Sequence, residues 1–142
     1  GDQKEAVGTA AFAALRQLGP AAIPDLIEAA SEGGRRQTPN AARLLGMLGD
    51  ERAVEPLAQL LRRGDVTDRV AAAQALGQLG LTRGIPMLLS ALTDSEASVR
   101  SAALRSFAAL SGKESRQAIE EHLRGETDPD VREIARKLLS SL

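Results

Sequence analysis

The chain has 142 residues, 43% of them apolar, with 18 basic side chains against 19 acidic ones; that is enough apolar material for a buried core, and it excludes a disordered chain or a strongly basic one built for a polyanion. Neither half is an electrostatic tail, since residues 1–71 hold 9 basic and 10 acidic groups and residues 72–142 hold 9 of each. There is no cysteine, tryptophan or tyrosine, which removes disulfides, thiolate chemistry and aromatic stacking platforms for nucleic acid, and fits a reducing, cytoplasmic setting.

In chain order, apolar spacing predicts helices over 4–18 and 21–31, 39–48 and 51–63, 67–79 and 82–92, 96–110 and 113–124, then a lone helix over 128–141. Counting back eleven residues from Leu18, Leu48, Leu79, Leu110 and Leu142 gives registers that start at Val7, Gln37, Asp68, Val99 and Val131, spaced by 30 to 32 residues. The fifth position is then Ala11, Ala41, Ala72, Ala103 and Ala135, and the ninth is Leu15, Leu45, Leu76, Phe107 and Leu139. Steps of four, four and three make one helical stripe. A second stripe recurs at intervals of 31 as Ile23, Leu26 and Ile27, then Val54, Leu57 and Ala58, then Ile85, Leu88 and Leu89. In the fourth copy Arg116 replaces the first apolar residue, so that helix is expected to sit differently or to expose its first turn. The longest unbroken apolar run, Ala10 to Leu15, is far below the ~20 residues that span a bilayer.

The glycines carry the next inference. Position ten is Arg16, Gly46, Gly77, Ala108 and Ser140, small in four of five copies, although glycine costs about 0.8–1 kcal/mol against alanine inside a helix. Close approach of neighbouring helices is the compensating cause. Gly19, Gly49 and Gly80 stand just past the last apolar residue of a helix, where a left-handed cap is cheapest, and Asp50 is placed to cap the helix that follows. Pro56 would kink a helix that truly began at Glu51.

The phrases GDERAVEPLAQLL (49–61) and VRSAALRSFAAL (99–110) resemble the HEAT-like repeats of the phycobilisome-lyase type. The resemblance implies an all-α, right-handed α-solenoid of about four helical hairpins plus a terminal helix, a single domain over 1–142 with repeats near 4–36, 37–66, 67–95 and 96–127. It also implies a concave groove lined by the second helices, and a polar ladder between repeats in which Asp94 precedes Val99-Arg100 and Glu126 precedes Val131-Arg132. The ladder is expected to break at the third repeat, where Arg63 takes the acidic place and Asp68 that of valine, and at the first, where Gly8 replaces arginine.

Chemistry has little to stand on. His122 is the only histidine, and a lone imidazole beside one carboxylate does not complete a metal site; it reads as a packing residue. The stretch Leu110 to Ser115 lacks the first glycine of a phosphate loop and no strand precedes it. Catalytic, metal and cofactor residues are therefore expected to be none, and the chain is read as a non-enzyme that binds neither nucleic acid nor membrane. On the groove, 31-residue spacing lines up Glu28, Gln59, Ser90 and Glu121, beside Glu55, Pro86 and Gln117, with Met87 as an adaptable apolar contact and Arg62 and Arg124 at the edge. Those ten residues are the expected partner-binding set. The first functional expectation is a scaffold for a protein partner or for another domain of the same chain; the alternative, from the resemblance, is an accessory part of a bilin lyase. The loop 31–39 with its Gly33-Gly34 is an expected edge contact. Gly1 in place of methionine fits a piece of a longer chain, and the edge left by the lone terminal helix suits either a continuation or a second copy.

Overall fold

In the computed structural model, residues 17, 19–31 and 38–142 are described; the predicted helix 4–18, its column residues Ala11 and Leu15, Gly8, and most of the 31–39 loop lie outside them. The described elements are α1 (Ile23–Ser31), α2 (Thr38–Leu48), α3 (Val54–Arg63), α4 (Val66–Leu79), α5 (Ile85–Ala91), α6 (Ala97–Ser111), α7 (Arg116–Gly125) and α8 (Pro129–Ser141), with no strand among the described residues. First helices α2, α4, α6 and α8 pack in sequence as one row, and each is backed by the second helices α1, α3, α5 and α7.

The two stripes form the core between the rows. Ala41, Ala72, Ala103 and Ala135 are all buried, as are Leu45, Leu76 and Phe107 one turn further on, while Ile23, Val54, Leu57, Leu88 and Ile119 meet them from the second helices. The position-ten glycines make the close approach possible. A methyl group on Gly46 would lie 2.9 Å from the Cα of Ala75, and one on Gly77 would run into the side chain and backbone of Ser106. Ser106 closes the same contact by donating its hydroxyl to the carbonyl of Ala73 at 2.8 Å.

Every second helix begins differently from its apolar pattern. A 3₁₀ turn comes first, at Gly19–Ala22, Glu51–Ala53, Thr82–Gly84 and Gly112–Ser115, and the α-helix follows. Asp50 caps the second of these turns, its Oδ1 accepting from the Arg52 amide at 2.9 Å. The anticipated kink at Pro56 therefore does not arise: α3 starts at Val54, so Pro56 falls in its first turn, where an absent N–H breaks no hydrogen bond. Gly19, Gly49, Gly80 and Gly112 all take positive φ, between 52° and 71°, which glycine adopts at little cost; Gly80 makes the left-handed cap of α4. Arg116 is exposed at the start of α7, as its polarity demands, and its Nη2 donates to the carbonyl of Leu142 at 2.8 Å, tying α7 to the end of α8.

Candidate functional site

Two features of the surface go beyond packing. One is a cleft between α3 and α5; the other is a line of arginines along the first helices.

The cleft encloses about 440 Å³ between Ala58, Leu61 and Arg62 of α3 and Pro86, Met87, Ser90 and Ala91 of α5, and ends at Asp94. It exists because these two helices touch each other little, while the alanine- and glycine-rich first helices behind them pack closely. Four of the ten expected partner-binding residues, Arg62, Pro86, Met87 and Ser90, line it together. Glu55 reaches the rim through Arg62, at 3.7 Å with both side chains largely exposed, a pair too solvated to hold either in place. Gln59 is exposed on α3. Glu28 is exposed on α1, and Gln117, Glu121 and Arg124 are exposed on α7, outside the cleft; there Gln117 donates to Glu121 at 3.4 Å. Leu89, next to Met87 in sequence, is one of two large apolar side chains left exposed among the described residues, at 39%.

The expected ladder between repeats forms, and the structure gives its direction. Each acid pairs with the arginine of the hairpin before it, 25 or 26 residues back, rather than with the arginine that follows it. Arg69 clamps Asp94 with Nε at 3.0 Å and Nη2 at 3.2 Å, while its Nη1 donates to the carbonyl of Gly64. Arg100 clamps Glu126 with Nε at 2.8 Å and Nη2 at 2.9 Å, while its Nη1 donates to the carbonyl of Asp94. The expected break at the third repeat is thus only half correct. Among the described residues no rung joins the second hairpin to the third, since Thr38 and Arg63 stand where arginine and acid would be, and the buried Thr38 hydroxyl has no hydrogen-bond partner there. Asp68 does not interrupt the next rung, because it turns its side chain to the helix start: Asp65 accepts from the Asp68 amide at 2.9 Å and Asp68 from the Asp65 amide at 3.4 Å, a reciprocal cap.

Glu126 is the hub of the second rung. Buried at 6% exposure, it accepts from Arg100, from the amides of Thr127 and Asp128, and lies 2.9 Å from Nε2 of His122. The Arg100 guanidinium holds its carboxyl at about 2, below an ordinary 4.5, against the opposing effect of burial. His122, read from sequence as a packing residue, is half-buried and bound to this carboxylate. The i to i+4 spacing of His122 and Glu126 was the available signal, and the end of the α-helix at Gly125, after which Glu126 turns extended, was not.

Sequence and fold comparisons agree with this architecture. Residues 57–140 match the family model described as HEAT repeats, and residues 40–63 match the one described as PBS lyase HEAT-like repeat. No curated protein matches the chain significantly. Among solved structures, the chain is similar to one in the complex of CpcE and CpcF of phycocyanin lyase from Nostoc sp. PCC7120, at 26% identity over 92% of this chain with a TM-score of 0.69. It spans 58% of that chain's length. With stacked hairpins, glycine-mediated contacts and arginine rungs in place, and the family match covering more than half of its residues, the chain belongs to the HEAT-repeat family.

Proposed function

We propose that this chain belongs to a subunit of a phycobiliprotein lyase and contributes to bilin handling by binding proteins, not by chemistry of its own. The observation that carries the proposal is the 26% identity over 92% of the chain to a protein of the CpcE–CpcF complex, reinforced by the lyase-type repeat at 40–63. The broader reading, a scaffold that grips a protein partner along its second helices, is contained in it. The cleft between α3 and α5 suits such a role: an apolar floor of Ala58, Leu61 and Ala91, the deformable Met87, and Arg62 at its rim supply contact area plus one cationic anchor. The partners on this reading are a second lyase subunit and the phycobiliprotein itself.

The test is to mix the purified chain with an apo-phycocyanin subunit, phycocyanobilin and a complementary lyase subunit, then follow co-elution and the absorption band of protein-bound bilin. Co-elution together with faster growth of the band is the expected result. Co-elution without any change in absorption would leave only the broader scaffold, and a chain that does neither sinks both.

A further inference from the structure

We propose that the outer face of the first helices carries a second docking site, a groove across α2, α4 and α6 that takes an acidic segment of a partner protein: a branched apolar side chain seats over Val66 and Val70, and a carboxylate on either side of it meets Arg43 and Arg105. The groove belongs to the other row of helices from the α3–α5 cleft, and the inference holds whether or not that cleft serves a lyase.

The groove encloses about 280 Å³ where the N-terminal halves of α2 and α4 meet the start of α6. The glycine contacts that bring these helices close, at Gly46 and Gly77, lie toward the opposite ends of α2 and α4. Its floor is Pro39, Val70 and Ala71, each at least half-buried. Val66 stands at its mouth, 37% exposed and one of the two large apolar side chains left so among the described residues; unlike Val70 one turn on, it does not pack against the core. The exposed Thr67, Gln74 and Ser98 leave the rim open to water. Sites that enclose a small molecule run to roughly 300–1,000 Å³ and cover most of its surface. A smaller, open groove suits one or two side chains of a passing chain segment.

Charge decides what kind of segment. Arg43 is the one charged residue in the lining. Arg43, Gln74 and Arg105 hold the seventh register position of α2, α4 and α6, all three exposed, and neither arginine is held by a carboxylate or a carbonyl among the described residues. No acid occurs in α2 or α6, and the one in α4, Asp68, is buried at the helix start. Asp65 and Glu96 precede α4 and α6, about 13 Å along the helices from Gln74 and Arg105 at 1.5 Å per residue. They give the groove a polarity that draws carboxylates toward the arginine side and away from the helix starts. Two helix-to-helix steps of 8–10 Å put Arg43 and Arg105 about 16–20 Å apart, which an extended chain covers in roughly five or six residues. The occupant is therefore a segment with two acidic residues at that separation and a valine, leucine or isoleucine between them. The guanidinium forks select the carboxylates, and the apolar side chain supplies the contact area over Val66 and Val70.

The probe is an array of immobilised twelve-residue peptides carrying two glutamates five or six positions apart with leucine or valine between them, beside two control sets in which the glutamates become glutamine or the apolar residues become serine. The purified chain is expected to be retained by the full set at least about tenfold better than by either control, and a retained peptide should shift the methyl resonances of Val66 and Val70 in an NMR titration. Arg43→Glu and Val66→Ser, both at exposed positions and so with unchanged circular dichroism, should each cut retention about tenfold or more, whereas Met87→Glu in the other cleft should leave it as it was. Retention no better than the controls, retention that survives Arg43→Glu, or resonance shifts at Met87 in place of Val66 overturns the proposal. Self-association in sedimentation that Arg43→Glu abolishes also overturns it, because a second copy would then occupy the face.

Discussion

Gly46 shows how a single hydrogen atom in place of a methyl sets the spacing of two helices. By propensity alone Gly46→Ala should stabilise α2 by about 1 kcal/mol, but the new methyl would meet the backbone of Ala75 at 2.9 Å, and a backbone cannot rotate away. The expected net effect is a loss of about 1–3 kcal/mol from overpacking, read from urea unfolding. Gly125 is the control: it ends α7 with open space around it and without a positive φ, so Gly125→Ala should be neutral or stabilising by a few tenths of a kcal/mol, roughly the helix-propensity gain at a terminus. Glu126 gives the pH dependence. Its carboxyl titrates at about 2 in the folded protein and near 4.5 when exposed; a depressed carboxylate stabilises the fold above its unfolded value and ceases to do so as pH falls through the folded one. Stability should therefore decline between pH 4.5 and 2, by on the order of 3 kcal/mol from this group. Glu126→Gln should flatten that part of the pH profile and lower stability at pH 7.

At the level of elements, the rungs tie the turn before one first helix to the start of the previous one, and so add charge-assisted hydrogen bonds to the largely apolar contacts between hairpins. Arg69 does this with little solvent around it: its side chain is 17% exposed and that of Asp94 14%. Removing one partner strands the other in a poorly hydrated place, so Arg69→Ala is expected to cost about 2–3 kcal/mol, and Arg69→Lys about 1–2 kcal/mol because an ammonium cannot fork. Denaturant melts of the two variants, compared with Asp94→Asn, check this ordering. The 3₁₀ turns act at the same scale. They rotate the start of each second helix before the α-geometry begins, which puts Pro56 and Pro86 in a first turn and lets Ala53 and Gly84 sit buried against the first helices.

Across the molecule, closely packed first helices and more widely spaced second helices leave the cleft between α3 and α5, to which the proposed function would assign partner recognition. Met87→Glu places a charge on the apolar floor beside Ala58 and Leu61. Partner capture is expected to weaken by about tenfold or more, measured by titration calorimetry with the apo-phycocyanin subunit. The thermal midpoint should change little, because Met87 is only half-buried. No helix among the described residues is long and apolar enough to cross a membrane.

The 31-residue rhythm, the alanine and leucine columns and the glycine ends were legible in the sequence because they depend on near neighbours along one helix and on side-chain size, which any single chain displays. Asp50 as a cap and Arg116 as an exposed start were readable for the same reason. What only the tertiary structure decided were relations between hairpins: that Asp94 belongs to Arg69 and Glu126 to Arg100, that Glu126 also holds His122, and that Arg62, Pro86, Met87 and Ser90 share a cleft while Glu121 and Arg124 do not. Those outcomes depend on the rotation and spacing of one hairpin on the next. A 25- or 26-residue separation carries no periodic signal of its own, and small side chains fix how close two helices come without stating which polar groups will meet there.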